Sequence, residues 1–287
     1  MKIPHVIPYQ GSKRKLAPRI LAFMPFRKIE TFYEPFAGSA AVTLAAAASH
    51  KATRYVINDK FKPLAELWKL IVKQPNTLIE EYSHFFNSQL GNEKEYFSDV
   101  RELFNQNQSP SALFYLMARC VKNSIRFNSA GEFNQSPDNR RLGMKPEKLK
   151  AEVKAASLLL NGKVRIFAED FRKILRKATP NDFVYMDPPW QGTSGKHDPR
   201  YAYHLNLKSL IGELERLNYT NVPYLLSFDG KCGEKSYGKE LPQYLALEKV
   251  SLNAGRSAQA TLLGRNQKTI ESLYLSPALV ETKKYKV

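Results

Sequence analysis

Asp187-Pro188-Pro189-Trp190 puts an acid, two rigid turn residues and a large aromatic face into four consecutive positions, directly after the apolar run Phe183 to Met186. An amino group conjugated to an aromatic ring is a poor nucleophile, because its lone pair is delocalised. Transferring a group to that nitrogen requires it to become more tetrahedral, and fixed acceptors on both of its N–H bonds favour the change. The carboxylate of Asp187 can accept one of these bonds. The carbonyl of Pro188, in a turn whose φ is fixed by the ring, can accept the other. Trp190 offers a flat face for stacking a heterocycle such as a nucleobase, worth roughly 1–3 kcal/mol per base. Taken alone, the tetrapeptide also admits a second reading, a stiff turn capped by a core tryptophan, so its surroundings decide.

A second group lies near the other end of the chain. Glu34-Pro35-Phe36-Ala37-Gly38-Ser39 follows a β-rich run and precedes an alanine-rich stretch. A small-residue turn there lets the backbone approach a bound cofactor, while the lone Gly38 is unlike the three-glycine cradle of dinucleotide sites. Asp59, after the next strand-like run, is positioned to accept both hydroxyls of a ribose, and is otherwise an ordinary surface acid. Asp170, with Phe171 beside it, could accept from an adenine amine or simply cap a helix.

The elements that must position these residues alternate. Helical spacing covers 13–23, followed by a strand at 29–33, a helix at 40–48, a strand at 54–57 and a helix at 63–72. Residues 75–160, helical in parts and rich in Asn, Gln and Ser, interrupt the pattern. It resumes with a strand at 164–167, a helix at 171–178, a strand at 183–186, a helix at 206–217 and a strand at 224–228. Two further strands are expected near 244–250 and 270–275. Alternating strands and helices predict an α/β protein with a doubly wound sheet, interrupted by a mostly helical insertion. The tetrapeptide then falls at the carboxyl edge of the sheet, where open α/β folds bind ligands.

In this order the motifs resemble those of the Dam-like class of site-specific DNA adenine-N6 methyltransferases, the D12 or alpha group. Tyr9-Gln10-Gly11-Ser12-Lys13 is similar to the family's N-terminal aromatic-x-Gly-Gly-Lys motif, and Phe36-Ala37-Gly38 to its FxGxG cofactor loop. Asp59 matches its ribose-binding acid, Asp187 to Trp190 its DPPY motif, and Asn128 to Asn134 its N-x-x-G-x-F-N segment. Ser12, Ser39-Ala40 and Trp190 depart from the family pattern. The resemblance implies a Rossmann-like S-adenosylmethionine-dependent sheet, with Tyr9, Lys13, Asp59 and Asp187 contacting the cofactor. It further implies that Phe36 and Gly38 line the cofactor loop, that Asp170 and Phe171 meet the cofactor adenine, and that catalysis rests on Asp187, Pro188, Pro189 and Trp190. The implied division is a catalytic domain of residues 1–61 and 161–287 and a target-recognition insert of residues 62–160. Double-stranded DNA is the implied substrate, with its adenine flipped out. A monomer is implied, and a restriction–modification role beside a cognate endonuclease encoded nearby.

Charge agrees with a polyanionic partner. Lys and Arg number 44 against 27 acids, a formal +17, and the excess clusters between 119 and 150. Arg119, Lys122, Arg126, Arg140 and Arg141 are candidates for phosphate or guanine contacts, and Asn128 and Asn134 for adenine, with Ser129-Ala130-Gly131 as a hairpin tip. The alternative is a solvated basic loop. Tyr203-His204-Leu205 and Ser227 to Gly230 are expected near the cleft, and Gly255 to Ser257 and Gly264 to Asn266 could flank a basic loop over DNA. Cys120 and Cys232 form no disulfide framework or metal pattern, no apolar run reaches about 18 residues, and Met1 to His5 carry no signal-like stretch. No metal, no membrane and a cytoplasmic setting are expected. Cytosine-N4 or RNA amino-group methylation, and a non-catalytic nucleic-acid binder, remain the alternatives at this stage.

Overall fold

Short strands with alternating apolar side chains set the architecture. The computed structural model describes residues 2–189, 205–232, 235–237, 240–256 and 268–284. The strands are β1 (Ile29–Glu34), β2 (Ala52–Asn58), β3 (Val164–Phe167), β4 (Phe183–Met186), β5 (Tyr224–Cys232), β6 (Lys235–Tyr237), β7 (Glu248–Arg256) and β8 (Lys268–Leu275). They form one sheet of order β3-β2-β1-β4-β5-β8-β7, with β6 paired to β5. The run from β3 to β5 is parallel, whereas β8 is antiparallel to both β5 and β7. This is a Rossmann-like sheet. Its strand order reverses between β1 and β4, the place where such sheets open a crevice at their carboxyl edge.

Neighbouring residues on each strand enter different cores. Phe32, Tyr55, Ile57, Phe183, Tyr185 and Leu225 join one apolar cluster, and Tyr33, Val56, Val184, Met186, Tyr224 and Leu226 join the other. Both faces are therefore covered, as a parallel sheet requires. The first face is packed by α1 (Ala17–Leu21) and α2 (Ala41–Ala48). Between β2 and β3 come α3 (Lys62–Lys73), α4 (Pro75–Ser88), α5 (Glu93–Asn107), α6 (Pro110–Arg119) and α7 (Pro146–Leu160). The second face is covered by α8 (Phe171–Leu175) and α9 (Leu207–Tyr219), and α10 (Pro277–Lys284) returns Leu279 to the first. The α3–α7 segment interrupts the strand alternation as expected. Its Trp68, Tyr82, Phe104, Phe114 and Val153 join the same cluster as Phe32 and Leu44, so its apolar interior is continuous with that of the sheet.

Two local expectations shift. The helix read over 13–23 divides into a 3-10 turn at Lys13–Lys15 and α1, because Pro18 at the first turn of α1 begins a new helix. Near 244–250, a 3-10 turn at Gln243–Leu245 comes first and Ala246 takes a φ of +51°, which delays β7 until Glu248. Among the described residues, no helix is long and apolar enough to cross a membrane.

Arg119 corrects the sequence reading. Its side chain is 1% exposed, so it is not open to a partner. Its Nε donates to Gln89 Oε1 at 2.6 Å, and one terminal nitrogen donates to the carbonyls of Asp138, at 2.8 Å, and Arg141. Tyr115 donates its hydroxyl to the same Gln89 oxygen at 3.0 Å, and Gln89 Nε2 reaches Leu142 O at 3.0 Å. Lysine and arginine content cannot tell which cations turn inward. Arg119 satisfies the inward carbonyls of the 138–142 loop, which in turn presents Arg140 and Arg141 to solvent. Arg119→Ala should lower unfolding free energy by about 2–4 kcal/mol in urea denaturation, since buried acceptors lose their donor. A loss below about 0.5 kcal/mol would contradict this role.

Candidate active site

Asp187 is the first residue beyond β4, and the Pro35–Ser39 loop leaves β1 beside it, so both flank the point where strand order reverses. Lys13 reaches over from the N-terminal turn, and its Nζ lies 2.8 Å from Asp187 Oδ2 and 3.4 Å from Glu271 Oε2. The three side chains are 7%, 20% and 15% exposed respectively, so the pair is largely shielded from water. Burial pushes the Asp187 carboxyl up to about 6; Lys13 opposes that rise and the Glu271 charge adds to it. Asp187 is therefore a carboxylate at neutral pH that is readily protonated just below it. Beneath it, Tyr185 is fully buried with its hydroxyl 3.0 Å from Ser227 Oγ, and Pro188 is buried while Pro189 is half-buried.

Glu34, at the end of β1, is 3% exposed and accepts from the backbone N–H of Thr43 at 2.8 Å and from the Thr43 hydroxyl. Burial raises its carboxyl to about 8, although both Thr43 bonds act the other way. It is thus mostly neutral at pH 7, which spares the neighbouring Asp187 a second full negative charge.

The loop after β1 is built for close approach. Gly38 has φ +49°, and the ring of Tyr9 lies over it, 3.4 Å from where a Cβ would stand. Its N–H donates to Asp59 Oδ2 at 3.0 Å and its carbonyl accepts from Trp68 Nε1 at 2.9 Å. The other oxygen of Asp59 accepts from Phe61 N at 3.0 Å, and burial raises its carboxyl above the ordinary range. Asn58 ties the strand ends together: its Nδ2 donates to the carbonyls of Pro35 at 2.9 Å and Glu169 at 3.0 Å, and its Oδ1 accepts from Glu169 N at 2.9 Å. Ser12 and Ser39, which both depart from the family pattern, meet each other through a 2.9 Å hydrogen bond. Ala40 keeps a left-handed φ of +46°, a conformation that costs an L-residue roughly 1–2 kcal/mol.

Phe36 and Phe171 pack with centroids 5.0 Å apart, leaving an aromatic wall near Asp170. Asp170 caps α8 through Arg172 N at 3.0 Å and pairs with Arg172 Nε at 2.7 Å, bonds that hold its carboxyl below the usual range. Tyr9, Lys13, Phe36, Gly38, Asp59 and Asp187 thus line the same crevice edge from three strand ends and the N-terminal turn. Among the described residues, no group of three or more His, Cys, Asp or Glu converges as a metal site.

The basic segment forms the expected hairpin tip. Phe127 bridges Phe133, Asn134 N donates to Arg126 O at 3.0 Å, and Ser129, Ala130 and Gly131 are exposed. Asn128 holds the tip: its Oδ1 accepts from the backbone N–H of Ala130 at 3.0 Å and Glu132 at 2.9 Å, and its Nδ2 donates to Glu132 Oε2 at 2.8 Å. Lys122, Arg126, Asn134, Arg140 and Arg141 are exposed. Buried Asp138, held at about 2 chiefly by the backbone N–H of Arg140, braces both arginines from below. The hairpin is tied to the loop after β1. Phe61, bound to Asp59 through its N–H, packs its ring on Phe127 at 5.2 Å and Phe104 at 6.5 Å, and Gln10 N donates to Asn123 O at 3.0 Å.

Trp190, Tyr203, His204, Ser257 and the 264–266 stretch lie outside the described residues. Asp229, by contrast, accepts from Lys249 Nζ and Tyr274 Oη at 2.8 Å each. Sequence reasoning missed Glu271, Trp68 and Asn58. Only the Asn58-Asp59 pair at a strand end carried a local signal, since Glu271 and Trp68 act through contacts across the fold. Because Gly38 adopts a left-handed φ, Gly38→Ala should cost about 1–2 kcal/mol of stability in urea unfolding. An unchanged midpoint would mean that the loop does not need that conformation.

Comparison with known proteins joins this geometry to a family. Residues 9–212 match the family model described as D12 class N6 adenine-specific DNA methyltransferase. The chain is 30% identical over 190 residues to the Type II methyltransferase M1.LlaDCHI of Lactococcus lactis subsp. cremoris, covering 63% of this chain and 64% of that protein. It is 30% identical over 233 residues to the modification methylase StsI of Streptococcus sanguinis, covering 76% of this chain but 34% of that protein. Against the retron Ec67 DNA adenine methylase of Escherichia coli it is 25% identical over 269 residues, covering 89% and 88% of the two chains. The chain thus spans less than two thirds of the length of the first two relatives. With the matched region running from the Tyr9 motif through the Asp187 turn into α9, the chain belongs to the D12 class of N6 adenine-specific DNA methyltransferases.

Proposed function

We propose that this protein transfers a methyl group from S-adenosylmethionine to N6 of an adenine in double-stranded DNA. The observation that carries the proposal is Asp187, a largely shielded carboxylate held by Lys13 at the carboxyl edge of the sheet, directly before Pro188. When bound, S-adenosylmethionine supplies an electrophilic methyl group on a sulfonium. The residues present fit it: Gly38 admits close approach under Tyr9, Asp59 retains lone pairs for ribose hydroxyls, and the Phe36–Phe171 wall with Asp170 suits an adenine.

Asp187 accepts one N–H of the target amine and the Pro188 carbonyl accepts the other, which draws the nitrogen lone pair out of conjugation. Pro189 stiffens the turn, and Trp190 stacks on the base. A paired adenine cannot reach this depth, so the target is flipped out of the duplex. Residues 62–160 serve as the target-recognition unit within a catalytic frame of 1–61 and 161–287. Lys122, Arg126, Arg140 and Arg141 neutralise phosphates or read guanine, Asn134 reads a base edge, and Asn128 shapes the tip. A monomer acting on both strands of a short site, in the cytoplasm and beside a cognate endonuclease, completes the proposal. The naming of M1.LlaDCHI as a Type II methyltransferase and of StsI as a modification methylase supports the restriction–modification part of this reading.

Asp187→Ala should reduce methylation of duplex DNA by about a thousandfold or more, because the amine loses its acceptor. DNA affinity, measured by fluorescence anisotropy, should stay within a few-fold. Wild-type rates in the variant would contradict the mechanism. A second outcome follows from the carboxyl raised to about 6: protonated Asp187 donates where it must accept. The kcat/KM for methylation should therefore fall as pH drops through about 6 and level off above it. A profile flat down to pH 4.5, near the range of an ordinary carboxylic acid, would exclude that role.

A further inference from the structure

We propose that Glu271 is a positioning residue for this site, sharing the Lys13 ammonium with Asp187 and so setting how strongly that cation stabilises the catalytic carboxylate. The inference rests on the functional reading above.

Glu271 sits on β8, the strand that enters the sheet in the reverse direction between β5 and β7. Its pairing partner on β5 is Gly230, just past the register shift that follows Ser227, so no cross-strand side chain stands beside it on that flank. From there Oε2 comes within 3.4 Å of Lys13 Nζ, the same ammonium that lies 2.8 Å from Asp187 Oδ2. A buried carboxylate is expensive unless it is fully hydrogen-bonded. Glu271 Oε2 is buried and has no hydrogen bond, only the Lys13 charge. A counter-ion whose sole task was to hold the fold would be better satisfied.

The chemistry gives such sharing a purpose. Asp187 must be ionised to accept an N–H, and an ammonium close to one of its oxygens both favours ionisation and draws negative charge away from the acceptor. A competing carboxylate draws part of the ammonium away. The groups that act on Asp187 from the elements packed around it are Lys13 from the N-terminal turn, Glu34 from β1, Tyr185 from β4 and Glu271 from β8. Lys13 favours the ionised form, whereas Glu271 opposes it. Glu34, mostly neutral, contributes little charge at pH 7, and Tyr185 stays protonated.

The test is the pH dependence of kcat/KM for DNA methylation in the full-length wild type, Glu271→Gln and Glu271→Asp. Removing the Glu271 charge removes the carboxylate that opposes ionisation of Asp187, so Glu271→Gln should move the acidic limb to lower pH by roughly half to one unit. Glu271→Asp keeps the charge and should keep the limb near its wild-type position. A Glu271→Gln enzyme that is slower at every pH with its limb unmoved would overturn the proposal, because that is what a purely structural role produces. Should the variant not fold, 13C NMR titration of the wild-type carboxyl groups decides. A two-step Asp187 curve, as coupling to a second carboxyl produces, supports the proposal, and a single-site Asp187 curve overturns it. If the wild type transfers no methyl group to DNA, the functional reading fails while the titration still judges Glu271.

Discussion

A carboxylate must stay ionised near neutral pH in a place that is largely closed to water, and the rest of the structure is arranged around that constraint. Burial alone drives Asp187 towards the neutral acid, and the ammonium of Lys13 at 2.8 Å is what restrains it. Lys13 belongs to a segment far from Asp187 in sequence, so the contact exists only when the N-terminal turn is docked on the sheet. Leu16, Ala17 and Ile20 supply that docking by burying their side chains in the main core. Each fully buried aliphatic side chain contributes roughly 1.5–3 kcal/mol, which exceeds what an isolated ion pair would return after desolvation. The core therefore places the charge, and the charge does not hold the core.

The same economy governs the loop after β1. Gly38 is held from three sides, by the Tyr9 ring above, Asp59 on its N–H and Trp68 on its carbonyl. Trp68 belongs to α3, which packs against α4, α6, α7 and β3, so the helices between β2 and β3 help to fix the loop. Phe61 carries that connection further, from the Asp59 carboxylate to the Phe127–Phe133 pair at the base of the basic hairpin. Loop, helices and hairpin share one apolar interior, which gives the exposed basic tip a packed base.

The strand alternation, the carboxyl-edge position of Asp187 and the ordered motifs at Tyr9–Lys13, Phe36–Gly38 and Asp59 were legible in the sequence, because period-two patterning and turn residues are local signals. What was not legible depended on distant contacts. Glu271 looks like one more polar residue in an edge-like strand until β8 is inserted beside β5. Arg119 looks like a DNA contact until its guanidinium is found on the carbonyls of Asp138 and Arg141. Asn128 resembles a base reader by type, yet its amide is used in shaping the turn that presents its neighbours. Residue type announces capacity for a contact, and only the fold decides its direction.

The central claim is that Asp187 and its surroundings direct a methyl group to the exocyclic nitrogen of adenine in DNA. The most direct measurement is to incubate the purified protein with duplex plasmid DNA and methyl-labelled S-adenosylmethionine, digest the product to nucleosides and identify the labelled species by mass spectrometry. Label confined to N6-methyldeoxyadenosine is the predicted result. Label in N4-methyldeoxycytidine, or none in the DNA, would contradict it.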